Sequence, residues 1–244
     1  MFSKALKVIA RLAAGFLLIA FIINANSLYE KSLFFYVGRS VLLLKNDMGA
    51  GTGSQVIAPS GKKYIITNSH VCGDASVLEA EDFYGNKSKI AVLEVYKKHD
   101  LCLLQGIPEL PSLKIGNDLT YQQDVYTVGH PQALPLVLES GKFLGTEEIK
   151  VGTQCSEEQI KECSASNLSD EKLKECAVRI FLRICLKDYE ANYTNNSISP
   201  GSSGSPVVDG RGRVTALVFA GSPRYNKMAF LVPLDYIKDF LKDK

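Results

Sequence analysis

Histidine is scarce in this sequence. Its 244 residues contain three, His70, His99 and His130, so any imidazole chemistry must use one of them. A charge excess is also missing: 28 Lys and Arg against 26 Asp and Glu leave a net +2. Phosphate binding needs a dense basic face, so this balance argues against nucleic acid as the main partner. The chain has no internal repeat and no low-complexity tract. Among its six cysteines no two have the Cys-x2-Cys spacing of a zinc site. What is present is ample apolar material. Hydrophobic residues make up 46%, enough for a packed core and too many for a disordered tail. One long domain or two short ones fit the length, because β-barrels and sandwiches run past about 200 residues as single domains.

The first residues read as an address. Lys4, Lys7 and Arg11 stand without an acid, followed by the apolar run Leu12–Ile23 and then Asn24, Ala25, Asn26 and Ser27. A basic start, a short apolar centre and a small-residue exit describe a secretory signal. The run is short for a membrane span, which needs about 20 residues. Residues 1–25 are therefore expected to be a signal cut near Ala25, with an uncleaved membrane anchor as the alternative. Without them, three basic side chains are lost and the net charge becomes −1. Localisation is expected to be periplasmic or secreted, or anchored in the inner membrane with the rest of the chain outside the cytoplasm. Export favours bridged over reduced cysteines.

From residue 33 onward the pattern is mostly β. Short runs rich in Val, Ile, Leu, Tyr and Phe occur at 34–44, 55–57, 63–67, 89–96, 124–128 and 136–138, and again at 178–186, 207–208, 214–220 and 229–232. Gly, Asn, Pro and Asp separate them, as in an all-β barrel or sandwich. Two stretches read as helix. Within 155–177, Ser156-Glu-Glu-Gln159 is a capping-box sequence and Ser169-Asp-Glu171 places acids in a first turn, so a helical hairpin is expected there. After Pro233, residues Leu234, Ile237, Phe240 and Leu241 share one face of a C-terminal helix.

Three segments carry chemistry. Ile65-Ile-Thr-Asn-Ser-His70 ends a strand in polar residues with a histidine just beyond. In Val95-Tyr-Lys-Lys-His-Asp100-Leu-Cys-Leu-Leu104, an acid stands between two apolar strand segments, where burial is costly unless it has partners. Ser199-Pro-Gly-Ser-Ser203-Gly-Ser-Pro206 is a run of small residues that can form a tight turn presenting a hydroxyl and bare backbone N–H groups. Together they supply acyl transfer. A serine hydroxyl needs an adjacent base, imidazole can take and return the proton near neutrality, and a buried carboxylate fixes the imidazole tautomer. Ser203, His70 and Asp100 are the catalytic candidates. The N–H groups of Gly201 and Ser203 are candidates for the oxyanion hole. The order His70, Asp100, Ser203 is decisive. An α/β-hydrolase needs its serine before its histidine and the motif Gly-x-Ser-x-Gly, and position 205 is Ser.

With these segments in this order, the chain resembles the chymotrypsin-fold (trypsin-like) serine proteases of the bacterial HtrA/Deg type. Gly51-Thr-Gly-Ser-Gln-Val-Ile57, Thr67-Asn-Ser-His70-Val, Asp100-Leu-Cys-Leu-Leu, Val128-Gly-His-Pro131 and Thr194–Pro206 carry the resemblance, which spans about residues 33–242 outside the insert. It implies two six-stranded antiparallel β-barrels, about 33–115 and 120–232, with a C-terminal helix and a cysteine-rich helical insert at about 153–178. It implies a serine endopeptidase with a polypeptide substrate, no cofactor and no metal. A catalytically weak, chaperone-like binding module on the same scaffold is the alternative. Departures are visible. Ser205 stands where the family usually has Gly. Ser202 stands where digestive relatives have Asp, so activation by a new buried N-terminus is not expected. The sequence runs to Lys244 without the PDZ domain that usually follows.

In this fold, the residue about six positions before the nucleophile lines the first specificity pocket. Ser197 and Ile198 stand there with no acid nearby, so an apolar side chain on the acyl side is expected. Strand residues Val218, Phe219 and Ala220 are expected to pair with the substrate backbone. His99 is expected on the opposite face from Asp100, at the surface, and His130 in a structural turn. Cys155, Cys163, Cys176 and Cys185 are expected to form two bridges that staple the insert, with three pairings open and a zinc site as the alternative. Cys72 and Cys102 are expected to be buried free thiols, with a bridge beside the active site as the alternative.

Overall fold

The computed structural model describes residues 24–47, 49–154, 160–161, 163, 176, 184–222 and 227–244, with the side chains of 151–154 and 184–187 left aside. The apolar run 12–23 and most of the insert lie outside the described residues. So do the expected strand positions 178–183. No helix among the described residues is long and apolar enough to cross a membrane.

Among the described residues, twelve strands form two closed six-stranded antiparallel barrels. The first holds β1 (Val41–Asn46), β2 (Gly49–Ile57), β3 (Lys63–Thr67), β4 (Val77–Glu81), β5 (Lys87–Tyr96) and β6 (Leu101–Gln105), and closes by β1 pairing β4. The second holds β7 (Asp124–Gly129), β8 (Val137–Gln154), β9 (Ile184–Thr194), β10 (Pro206–Val208), β11 (Val214–Gly221) and β12 (Ala229–Pro233), and closes by β7 pairing β10. Helix α1 covers 24–38 of the described chain, α2 is the single turn Ser69–Cys72, and α3 is Leu234–Leu241.

β6 shows how a continuous apolar run serves two cores. Cys102 and Leu104 point into the first barrel with Leu42, Leu44 and Ile65. Leu101 and Leu103 point the other way, into the seam between barrels, with Val128, Val208 and Leu217. The two-residue period of a strand puts alternate side chains on opposite faces, and here both faces are buried. α3 closes the seam with Ile237, Phe240 and Leu241 on the spacing expected from sequence.

Two expectations need correction. Residues 34–38 are helical, and the strand begins at Val41, not at Phe34. Leu33 and Val37, four apart, are buried in the seam, while Phe35 and Tyr36 face outward. Aromatics on the exposed face hid the helical period. β4 had no signal of its own, because only Leu78 and Ala80 point inward. The short run at 136–138 proves to be the start of β8, which pairs with β9 as a ribbon from Phe143↔Thr194 to Gln154↔Ile184. The insert lies in sequence between the last described pair of this ribbon, Gln154 and Ile184.

Candidate active site

His70 is the second residue of α2, directly after β3. Asp100 ends the turn 97–100 that links β5 to β6, with φ +53. Because β3 pairs with β6 (Thr67↔Cys102), the end of one strand meets the start of the other, and the two side chains come together. His70 Nδ1 lies 2.8 Å from Asp100 Oδ2. The other carboxylate oxygen, Oδ1, accepts from the Ser69 hydroxyl at 2.8 Å and from the His70 N–H at 3.1 Å. Asn68 Nδ2 donates to the Asp100 carbonyl at 3.0 Å and holds the left-handed turn. Asp100 is buried at 8% exposure, and these partners are what burial of a carboxylate requires. An ionised carboxylate only accepts, so the proton sits on Nδ1 and the Nε2 lone pair is free to act as a base. The imidazole is half exposed.

Ser203 lies in the loop between β9 and β10. Its carbonyl accepts from Thr52 N on β2 at 2.8 Å, and the Thr67 hydroxyl donates to the Thr52 carbonyl at 2.7 Å. The serine is therefore tied through β2 to β3, the strand that leads into His70. Gly204 has φ +80, and a Cβ there would lie 2.1 Å from the Thr52 carbonyl oxygen, so only glycine lets the loop approach so closely. The Pro200 carbonyl accepts from Gln132 N at 2.5 Å, and Ser202 N donates to Ser199 O at 2.9 Å. In a trans peptide N–H and C=O point oppositely, so the Gly201 N–H is directed away from Gln132. Among the described residues, the N–H groups of Gly201 and Ser203 donate to no protein group.

A family model described as a trypsin-like peptidase domain matches residues 51–217, about two thirds of the chain. The chain belongs to the trypsin-like peptidases. An HtrA-like serine protease of Staphylococcus aureus (strain bovine RF122 / ET3-1) is 26% identical over 208 residues, 82% of this chain and 24% of that protein. The HtrA-like protease of strain USA300 matches to the same extent. The chain thus spans about a quarter of the length of these relatives. Its fold is similar to that of the Rv3671c protease from M. tuberculosis in its active form (TM-score 0.66, 16% identity, 88% of this chain and 85% of that one). It is also similar to a serine endoprotease from Yersinia pestis (TM-score 0.63, 17% identity, 88% and 65%).

The remaining site residues of this trypsin-like peptidase fall as follows. Ile198 is half-buried and packs on the second barrel's core, facing Gly221, where a Cβ would lie 3.1 Å from it. Ser197 beside it is half-buried. Val218 is fully buried, its carbonyl accepting from Gly204 N and its N–H donating to Ser205 O, so its backbone holds the loop that carries Ser203. Phe219 stands at a bulge and stacks on Tyr189, and Ala220 pairs with Phe230. β10 pairs with β11 only as far as Leu217, so beyond Val218 that edge has no paired strand among the described residues.

His130 is buried, its N–H donating to the Thr52 hydroxyl and its Nδ1 lying 3.0 Å from the Leu134 carbonyl, and burial holds its pKa below the ordinary value. His99 is not on a strand. It sits in the 97–100 turn, half-buried and stacked on Tyr236 of α3 with centroids 3.8 Å apart. Cys72 and Cys102 are bridged, contrary to the free-thiol expectation. The Thr67↔Cys102 register that joins His70 to Asp100 also brings the two sulfurs together. Cys163 is bridged to Cys176. Cys155 and the side chain of Cys185 lie outside the described residues.

Sequence reasoning passed over Ser69 and Thr52. Ser69 stands inside the histidine motif, and a hydroxyl next to the base was the available signal. Thr52 stands between two glycines, where nothing local marks it.

Proposed function

We propose that this chain is a serine endopeptidase that works through an acyl-enzyme. Ser203 Oγ attacks the scissile carbonyl carbon while His70 Nε2 takes its proton. Asp100 holds the imidazole and stabilises the imidazolium. The carbonyl oxygen, now an anion, receives the N–H groups of Gly201 and Ser203. The C–N bond then breaks as His70 returns the proton to the amine, leaving an ester on Ser203. Water, deprotonated by His70, attacks the ester and frees the acid. Each step uses groups of the chain and water alone, so no cofactor is invoked.

The observation that carries this reading is Asp100. A buried carboxylate given three donors, two of them from the residue that bears the base, sets the tautomer that proton transfer needs. A binding module has no use for such an arrangement. Two bridges, Cys72–Cys102 and Cys163–Cys176, suit an oxidising compartment. With the basic and apolar N-terminus, they support action outside the cytoplasm on exported or misfolded polypeptides. The membrane enters only through that N-terminal segment, where it is left uncleaved. Ile198 without a nearby acid supports an apolar preference on the acyl side, and the open edge at 219–221 supports pairing with an extended substrate.

The test is labelling by a fluorophosphonate probe. Wild type is expected to label, and Ser203→Ala and His70→Ala are not. Wild type that takes no label across pH and redox conditions refutes the reading. A precursor-to-mature shift on a gel tests the signal.

A further inference from the structure

Four hydrogen bonds converge on Thr52, a buried side chain of the first barrel that belongs to none of the catalytic positions. Its N–H donates to the Ser203 carbonyl at 2.8 Å. Its carbonyl accepts from the Thr67 hydroxyl at 2.7 Å. Its hydroxyl lies 2.9 Å from the Gly201 carbonyl and 3.0 Å from the His130 N–H. The direction of these last two is fixed by chemistry. A backbone N–H can only donate and a carbonyl can only accept, so the hydroxyl accepts from His130 and aims its proton at Gly201.

We propose that the Thr52 hydroxyl is a positioning group for the oxyanion hole, a role that rests on the endopeptidase reading. The hole needs the N–H groups of Gly201 and Ser203 turned toward the substrate; these lie in the 200–201 and 202–203 peptides, and the peptides flanking them fix how they turn. Thr52 holds the peptide after Gly201 through its hydroxyl and the peptide after Ser203 through its N–H. The same hydroxyl holds His130, which begins the turn whose Gln132 N–H fixes the Pro200 carbonyl. One side chain of the first barrel therefore sets the orientation of a loop of the second. Gly201 itself, at φ +92, presses so near this turn that a Cβ would lie 2.6 Å from the His130 carbonyl oxygen. Without the hydroxyl, the Gly201 carbonyl and the buried His130 N–H lose their partner. The loop then gains a reason to rotate toward other donors, because unpaired buried groups are costly.

The experiment compares Thr52→Val, which keeps the shape and removes the hydroxyl, with Thr52→Ser, which keeps the hydroxyl and removes the methyl. An amide substrate gives kcat and KM, and the fluorophosphonate gives a rate of labelling. A displaced oxyanion loop is expected to lower kcat by about 100-fold, the scale of a misplacement near 1 Å. KM should change little, because the hole acts on the transition state. Thr52→Ser should recover wild-type kcat within a few-fold although it loses more packing. Equal kcat in the Val variant and wild type, or an equal loss in the Val and Ser variants, overturns the proposal. If Thr52→Val does not fold, Thr52→Ala replaces it, and failure of both to fold overturns it too, since Thr52 would then be a residue of the fold. Wild type that takes no label overturns both this inference and the endopeptidase reading. Wild type that labels beside a Val variant that labels equally fast overturns this inference alone.

Discussion

Ser205 departs from the family's usual glycine, and its effect on Gly129 can be worked from distances. A Cβ built on Gly129 would lie 1.9 Å from Ser205 Oγ and 2.9 Å from Ser205 Cβ. Turning the serine to another rotamer moves Oγ but not Cβ, so Gly129→Ala must push backbone against backbone. Gly129 does not have a positive φ, so alanine is conformationally allowed and the penalty is one of space. Overpacking of this kind costs about 1–3 kcal/mol. Ser205→Gly is a different matter. Its hydroxyl is buried without a hydrogen-bond partner among the described residues, a state that costs about 1–3 kcal/mol. The added chain freedom of glycine offsets about 0.5–1 kcal/mol of the relief. That variant should be neutral or slightly stabilised. In the double variant the nearest remaining atom is Thr52 Oγ1 at 3.3 Å, close but tolerable. Stability of the pair should therefore return to within about 1 kcal/mol of wild type, a coupling of about 2 kcal/mol where independent sites add to within about 0.5. Urea unfolding at unchanged slope is the assay. Additivity of the two single changes would refute the reasoning, and so would a Gly129→Ala protein as stable as wild type.

Three further outcomes are expected. Asp100→Asn should lower kcat by about 10⁴-fold on a peptide substrate. Ser69 Oγ and His70 N hold the carbonyl oxygen of the new amide, which turns its NH2 toward Nδ1 and forces the imidazole proton to Nε2. A loss below about 10-fold would contradict this. Replacing Cys72 and Cys102 together by alanine should cost about 3–4 kcal/mol in a urea melt, because the bridge closes a 30-residue segment. A cost below about 1 kcal/mol would show that the bridge adds little. Burial pushes the Asp209 carboxyl up, but hydrogen bonds from the Arg213 side chain and from the N–H groups of Arg213 and Arg211 outweigh it and hold the pKa below the ordinary value. A depressed pKa contributes stability that is present above the unfolded pKa and is lost as pH falls through the folded value. Asp209→Asn should accordingly destabilise at neutral pH by about 1–3 kcal/mol, with the difference from wild type shrinking in acid. A difference that does not change with pH would refute this.

The strands that alternate or run apolar over five or more residues were legible, because burial on one or two faces leaves a period in the sequence. Lys63–Thr67 and the start of β7 at Asp124 fall where expected. Helix α1 was misread because its outward face carries Phe35 and Tyr36 as its inward face carries Leu33 and Val37, so no polar stripe marked the turn of the helix. β4 was missed for the opposite reason, having too little apolar material. His99 was misplaced because the acid beside it was assumed to lie on a strand, whereas Asp100 sits in a turn with positive φ. That conformation is legible only once Asn68 is seen holding the Asp100 carbonyl.

By itself the sequence singled out the candidate residues for the chemistry. Three histidines, one acid between apolar segments and a run of small residues holding Ser203 left a single order to read. Motifs of this kind are local, since each depends on a few consecutive residues. The tertiary structure decided everything that depends on contacts between distant segments. It joined Cys72 to Cys102 through the register of β3 on β6, gave Asp100 the hydroxyl of Ser69, and set Ser205 against Gly129. It also made Thr52 of the first barrel the support of a loop nearly 150 residues further on (a separation of 149 between Thr52 and Gly201). Hydrogen bonds and close contacts act over a few ångströms of space whatever the distance along the chain, and only the fold says which atoms are that near.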